Sequence, residues 1–103
     1  MSRHQEISTK SIGAMVGICG QLAGLTRTDQ TWGVWFKCLA EVIPHVPVLE
    51  GELNNLRHSA AELVKATSNE DQARWHGSVG ARYRAYISSV AAERYEEFKR
   101  VAG

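Results

Sequence analysis

Proline and cysteine are scarce in this 103-residue chain, two of each. The prolines, Pro44 and Pro47, leave long stretches on either side in which nothing forbids a helix. The cysteines, Cys19 and Cys38, lack the CxxC or paired-histidine spacing of a zinc or redox site. They read as buried free thiols, and a Cys19 to Cys38 disulfide would require an oxidising compartment that nothing else in the sequence suggests. A strong charge of one sign is also missing. Twelve Lys and Arg against eleven Asp and Glu leave a formal charge of +1, without the basic excess that neutralising nucleic-acid phosphates demands. No apolar run is long enough to span a bilayer: the longest uncharged stretch, Ser11 to Thr26, is about 16 residues against the roughly 20 required. The opening residues, Met1 to Glu6, lack the basic-then-apolar order of a secretory signal, so a cytoplasmic location is expected.

Catalytic motifs are absent in the same way. The four histidines, His4, His45, His58 and His76, form no HExxH, HxxxH or Glu-x-x-His pair. No serine sits in a GxSxG elbow, and the glycines form neither GxGxxG nor GxxxxGK[ST]. His58 and Glu62 stand one helical turn apart, which suits a solvated contact and brings no nucleophile with it. The sequence therefore offers no catalytic residue, no cofactor site and no metal site, and a non-enzymatic role is expected.

What the sequence does contain is a helical pattern on a globular composition, 44% hydrophobic and 22% charged, fitting one domain over residues 1–103 with 1–7 as a flexible tail. From Ser8 to Gly24, Ile12, Met15, Val16, Cys19, Leu22 and Ala23 fall on one broad helical stripe. Beside it Gly13, Gly17, Gly20 and Gly24 recur at helical spacing within an arc of about 60°. Four glycines cost a helix roughly 3 to 4 kcal/mol against alanine, so another backbone packed closely on this ridge is expected to return that energy. Thr28 or Asp29 is placed to cap a second helix, in which Trp32, Trp35, Phe36, Leu39, Val42 and Ile43 make a strong amphipathic stripe and Lys37 and Glu41 pair on the far side. Pro44 ends it, and His45-Val46 reads as a hinge.

Pro47 suits the opening of a third helix with a near-heptad seam of Leu49, Leu53, Leu56, Ala60, Leu63 and Thr67. Ser68 followed by Asp71 resembles a capping box that starts the last helix. That helix is expected over about 69–101, burying Val79, Tyr83, Tyr86, Ile87, Val90, Phe98 and Val101, with Gly77 to Gly80 as the place where a break costs least. The predicted fold is all-α: a four-helix, bundle-like domain with a long C-terminal helix, its last two helices forming an antiparallel hairpin.

A last helix of about 33 residues spans roughly 50 Å and its neighbour of about 20 residues roughly 30 Å. Val90, Tyr95, Phe98 and Val101 therefore overhang and need cover, which a symmetric homodimer supplies to both copies at once. The expected interface residues, with self or with another protein, are Gly13, Gly17, Gly20, Gly24, Trp32, Trp35, Val90, Tyr95, Phe98 and Val101. Large aromatics such as Trp32 and Trp35 dominate interfaces where they are exposed. The expected function is a protein–protein interaction module, a small regulator, inhibitor or adaptor, with no membrane partner. The alternative is nucleic-acid binding through Arg74, Arg82 and Arg84 of the last helix, interleaved with Trp75, Tyr83 and Tyr86, although these arginines wrap the helix rather than form one stripe.

Overall fold

A computed structural model describes residues 3–46 and 51–89 together with Glu96, Lys99 and Arg100. Among these residues the regular elements are α1 (Arg3–Ala23), α2 (Trp32–Val42), a 3-10 turn (Ile43–His45), α3 (Glu52–Lys65) and α4 (Asn69–Ser89). Among the described residues the protein is all-α, with four α-helices and no strand. None of the described helices is long and apolar enough to cross a membrane.

The central element is α1, packed against both α2 and α4. Met15, Val16, Cys19 and Leu22 are fully shielded, Ile12 and Ile18 nearly so, and Gly13 is buried among them. A helix apolar around most of its circumference is stable only when neighbours cover several of its sides. It begins at Arg3 rather than near Ser8, and Gln5 and Glu6 in that added stretch are good helix formers. Its end is tightened by 3-10 bonds from the Gly24 and Leu25 amides to the Gln21 and Leu22 carbonyls, each 3.1 Å, as helix termini commonly do. His76 of α4 adds a third donor there, its Nε2 lying 2.6 Å from the Leu22 carbonyl.

The connection to α2 differs from the sequence-based expectation. Thr31, not Thr28 or Asp29, is the N-cap residue, and its side chain makes no capping bond. Asp29 turns backwards instead, its carboxylate accepting from the Thr26 amide at 3.0 Å and the Thr26 hydroxyl at 3.3 Å. A short polar side chain that can close its own turn competes with the cap. Within α2 the stripe is as expected, with Trp32, Leu39 and the following Ile43 buried and Trp32 stacked on Phe36 at 4.8 Å. Pro44 ends the α-helix by converting it to one 3-10 turn over Ile43–His45, a tighter geometry that accepts proline near its start. The hinge expected at His45-Val46 is thus half helical, and Val46 is a buried core residue.

Pro47 and Leu49 lie outside the described residues. α3 opens at Gly51, whose φ of +74° is the left-handed region that glycine enters without a Cβ clash. The rest of the predicted seam, Leu53, Leu56, Ala60 and Leu63, is buried, and Thr67 is exposed. Each fully buried leucine contributes about 1.5–3 kcal/mol. The Ser68 cap is present, its hydroxyl accepting the Asp71 amide at 3.1 Å. α4 then runs unbroken through Gly77 and Gly80. Glu62, expected beside His58, lies 3.7 Å from Lys65 instead, while His58 meets the edge of Trp75. Val90, Tyr95, Phe98 and Val101 lie outside the described residues.

Candidate interaction surface

The four glycines of the α1 ridge have four different surroundings. Gly13 is buried. Gly20 lies under Tyr83 of α4, where a Cβ would stand 2.7 Å from the phenol oxygen, and a Cβ on Gly80 would stand 3.7 Å from that of Ala23. The close neighbour at Gly20 is therefore a side chain of another helix of the same chain and not the closely packed backbone expected on the ridge. Gly24 is exposed in the turn after α1. Gly17, half-buried, lies on the floor of a groove.

That groove has a volume of about 330 Å³ and runs between α1 and α2. Ala14, Gly17, Ile18 and Gln21 line it from α1, Trp35 and Cys38 from α2, and Lys99 stands at it as well. The four α1 positions recur at the i, i+3, i+4, i+7 spacing that puts residues on one helical face. On α2, angular arithmetic places Val34, Cys38, Val42 and Trp35 on one flank beside the core stripe, so the apolar arc of this helix covers about 200°. A surface helix normally buries little more than about 100°. The surplus is this flank: Trp35, Cys38 and Val42 are half-buried, and Val34 is 61% exposed. A wall of apolar side chains facing a floor of alanine and glycine has the shape that receives a knob from another helix.

The two tryptophans separate accordingly. Trp32 is a core residue, between Phe36 and the edge of His76, with the Arg27 guanidinium 6.0 Å above its ring. Arg27 also donates to the Asn69 side chain and to Gln72, both at 3.0 Å, tying the α1–α2 connection to the start of α4. Trp35 is the one that reaches the groove. Sequence reasoning missed Ala14, Ile18, Gln21, Val34, Cys38 and Lys99. The available signal was the width of the apolar arc on α2, wider than one neighbour can cover.

Arg74, Arg82 and Arg84 are exposed on α4. Arg74 is engaged locally, 5.4 Å over the Trp75 ring and 3.8 Å from Asp71, and Arg84 lies along its own helix beside Gly80. No group of three His, Cys, Asp or Glu side chains among the described residues is placed to hold a metal. His76 faces a backbone carbonyl and an indole edge. Both thiols are free. Burial pushes the Cys19 thiol up to about 12, which keeps it protonated and unreactive. Comparison with known proteins gives no match to a family model, a curated protein or a solved structure.

Proposed function

We propose that this chain is a non-enzymatic protein–protein interaction module, of the small regulator, inhibitor or adaptor class, which associates with a second copy of itself through the α1/α2 groove. The observation that carries the proposal is the groove in which Trp35 and Cys38 of α2 face the small-residue floor of Ala14 and Gly17, with Val34 exposed next to Trp35 in the same helix. Two-fold pairing offers each copy the other's Val34–Trp35 flank and buries both floors in one closed contact. The same proposal includes the finer architecture, a bundle with α3 and α4 antiparallel. In its support, Gln72 meets Ala66 and Ser78 meets Ser59, a register that moves forward along α4 as it moves back along α3. The exposed arginines of α4 support nucleic-acid binding less well, because Arg74 is already engaged by Trp75 and Asp71.

Sedimentation equilibrium tests the reading. The wild-type chain is expected to show a concentration-dependent dimer, weakened at least about tenfold by Val34→Glu, which sets a charge on the apolar flank. Arg82→Glu, an exposed change on α4, should leave the equilibrium unaltered. A chain that is monomeric at every accessible concentration, or a dimer indifferent to Val34→Glu, would overturn it. Loss of any low-salt retention on DNA or RNA in Arg74→Ala would instead favour the arginine surface.

A further inference from the structure

The α1/α2 groove has a chemistry as well as a shape. Its floor follows one face of α1 from Ala14 to Gln21, which at about 1.5 Å per residue makes a trough about 10 Å long. Ala14, Gly17 and Ile18 bring no polar side-chain atom to it, and Trp35 and Cys38 line it from α2. Two polar residues complete the lining, Gln21 and Lys99. Among the described residues Lys99 is the only charged side chain there. Its ammonium is paired with Glu96 at 3.3 Å, and both side chains are more than half exposed. An exposed pair of this kind is weak and exchanges partners readily. A cavity of about 330 Å³, mostly apolar with a few polar groups to fix orientation, is of the size and composition that small-molecule sites have.

We infer that the groove binds a free medium-chain monocarboxylate, its alkyl chain on the floor of Ala14, Gly17 and Ile18 and its head group at Lys99. Charge selects the head group. One ammonium matches one negative charge, whereas a phosphate dianion needs more donors than a single lysine gives and would meet the Glu96 carboxylate beside it. Lysine covers apolar surface with its stem while its ammonium stays in water, so a carboxylate placed there keeps much of its hydration and avoids the cost of burying a charge. Shape selects the tail. An extended octanoate chain is comparable in length to the trough, and a diacyl lipid brings more apolar volume than the cavity holds. The groove supplies this site whether or not two copies pair on it as proposed above.

Calorimetric titration of the full chain with octanoate tests it. Saturable binding of one octanoate per chain is expected, with hexanoate about tenfold weaker, since each methylene kept out of water is worth about three- to fourfold in affinity. Octanol, the same chain without the charge, should bind about threefold more weakly or worse, and octylammonium more weakly still. Lys99→Gln, an exposed change, should lower octanoate affinity about threefold or more, Lys99→Arg should restore it, and Glu96→Gln should raise it by removing the competing carboxylate. Gly17→Leu, which fills the floor, should weaken octanoate at least about tenfold while circular dichroism confirms that the helices remain. Absence of binding at millimolar octanoate overturns the inference, as does octanol or octylammonium binding as tightly as octanoate. Octanoate affinity unmoved by Lys99→Gln and Gly17→Leu alike would put the site elsewhere and overturn it too. The groove dimer fails separately: octanoate binding in a chain that sediments as a monomer at all concentrations sinks the dimer and leaves this site standing, and a Val34→Glu-sensitive dimer that takes no octanoate does the reverse.

Discussion

The ring of Tyr83 covers Gly20 so closely that a Cβ on this residue would stand 2.7 Å from the phenol oxygen, 2.9 Å from Cζ and 3.2 Å from Cε1. Three side-chain atoms of Tyr83 at such distances mean that the α1/α4 contact is built on the missing side chain. Replacing Gly20 with alanine gains about 1 kcal/mol of helix propensity but forces the ring off or the helices apart, an overpacking that costs about 1–3 kcal/mol. The expected net loss is about 1 kcal/mol in urea unfolding. With Tyr83→Ala already present the obstruction is gone, and Gly20→Ala should then stabilise. A gain in both backgrounds would show that the ring moves aside at no cost.

Gly33 and Gly77 provide the contrast, since a Cβ at either meets nothing within 4 Å and both sit exposed within helices. Gly77→Ala should raise the stability by about 1 kcal/mol, and Gly33→Ala, so near the start of α2, by about half as much. Thermal denaturation of the two single variants measures this, and a loss at Gly77 would mean that α4 needs local give there.

These glycines also show how far the sequence could be read. Periodicity identified the core stripes of α2 and α3 because residues such as Trp32, Leu39, Leu56 and Leu63 repeat at helical spacing whatever they pack against. It placed Gly20 on a glycine ridge but could not name the Tyr83 side chain as the group above it, since helical period is silent about distant partners. The groove was harder still. Ala14, Gly17 and Ile18 sit on a helix that is apolar nearly all round, and which side stays open depends on where α2 and α4 land. Asp29 was misplaced as a cap for a local reason: its carboxylate could serve either the turn behind it or the helix ahead, and Thr26 supplied two donors.

Ser59 and Ser78 join α3 to α4 by a 2.9 Å hydroxyl pair, with Ser59 buried among Leu56, Ala60 and Leu63. Ser59→Ala leaves the half-buried Ser78 hydroxyl without this partner and should cost about 1–2 kcal/mol. Removing both hydroxyls together should cost less than the sum of the single changes by about 1 kcal/mol. Strict additivity in a double-mutant cycle would show that each hydroxyl finds another partner.

Cys19 and Cys38 should differ in both reactivity and pH response. Cys38 lies half-buried at the groove and should react with a thiol reagent in the native protein, whereas Cys19, fully shielded, should react only on unfolding. Burial raises the Cys19 thiol from 9.0 to about 12, so between those values the unfolded chain has released a proton that the native chain keeps. Stability from this site is therefore complete below pH 9.0 and falls as the pH rises towards about 12, with a limiting slope of about 1.4 kcal/mol per pH unit. Cys19→Ala removes the titrating group, and its urea-derived stability should decline less steeply over that interval than the wild type's. The comparison uses slopes, because the small cavity left by alanine lowers the variant at every pH alike. Parallel curves for the two proteins would mean that the Cys19 thiol ionises as easily in the folded chain as in the unfolded one, and that the α1 core admits water at its centre.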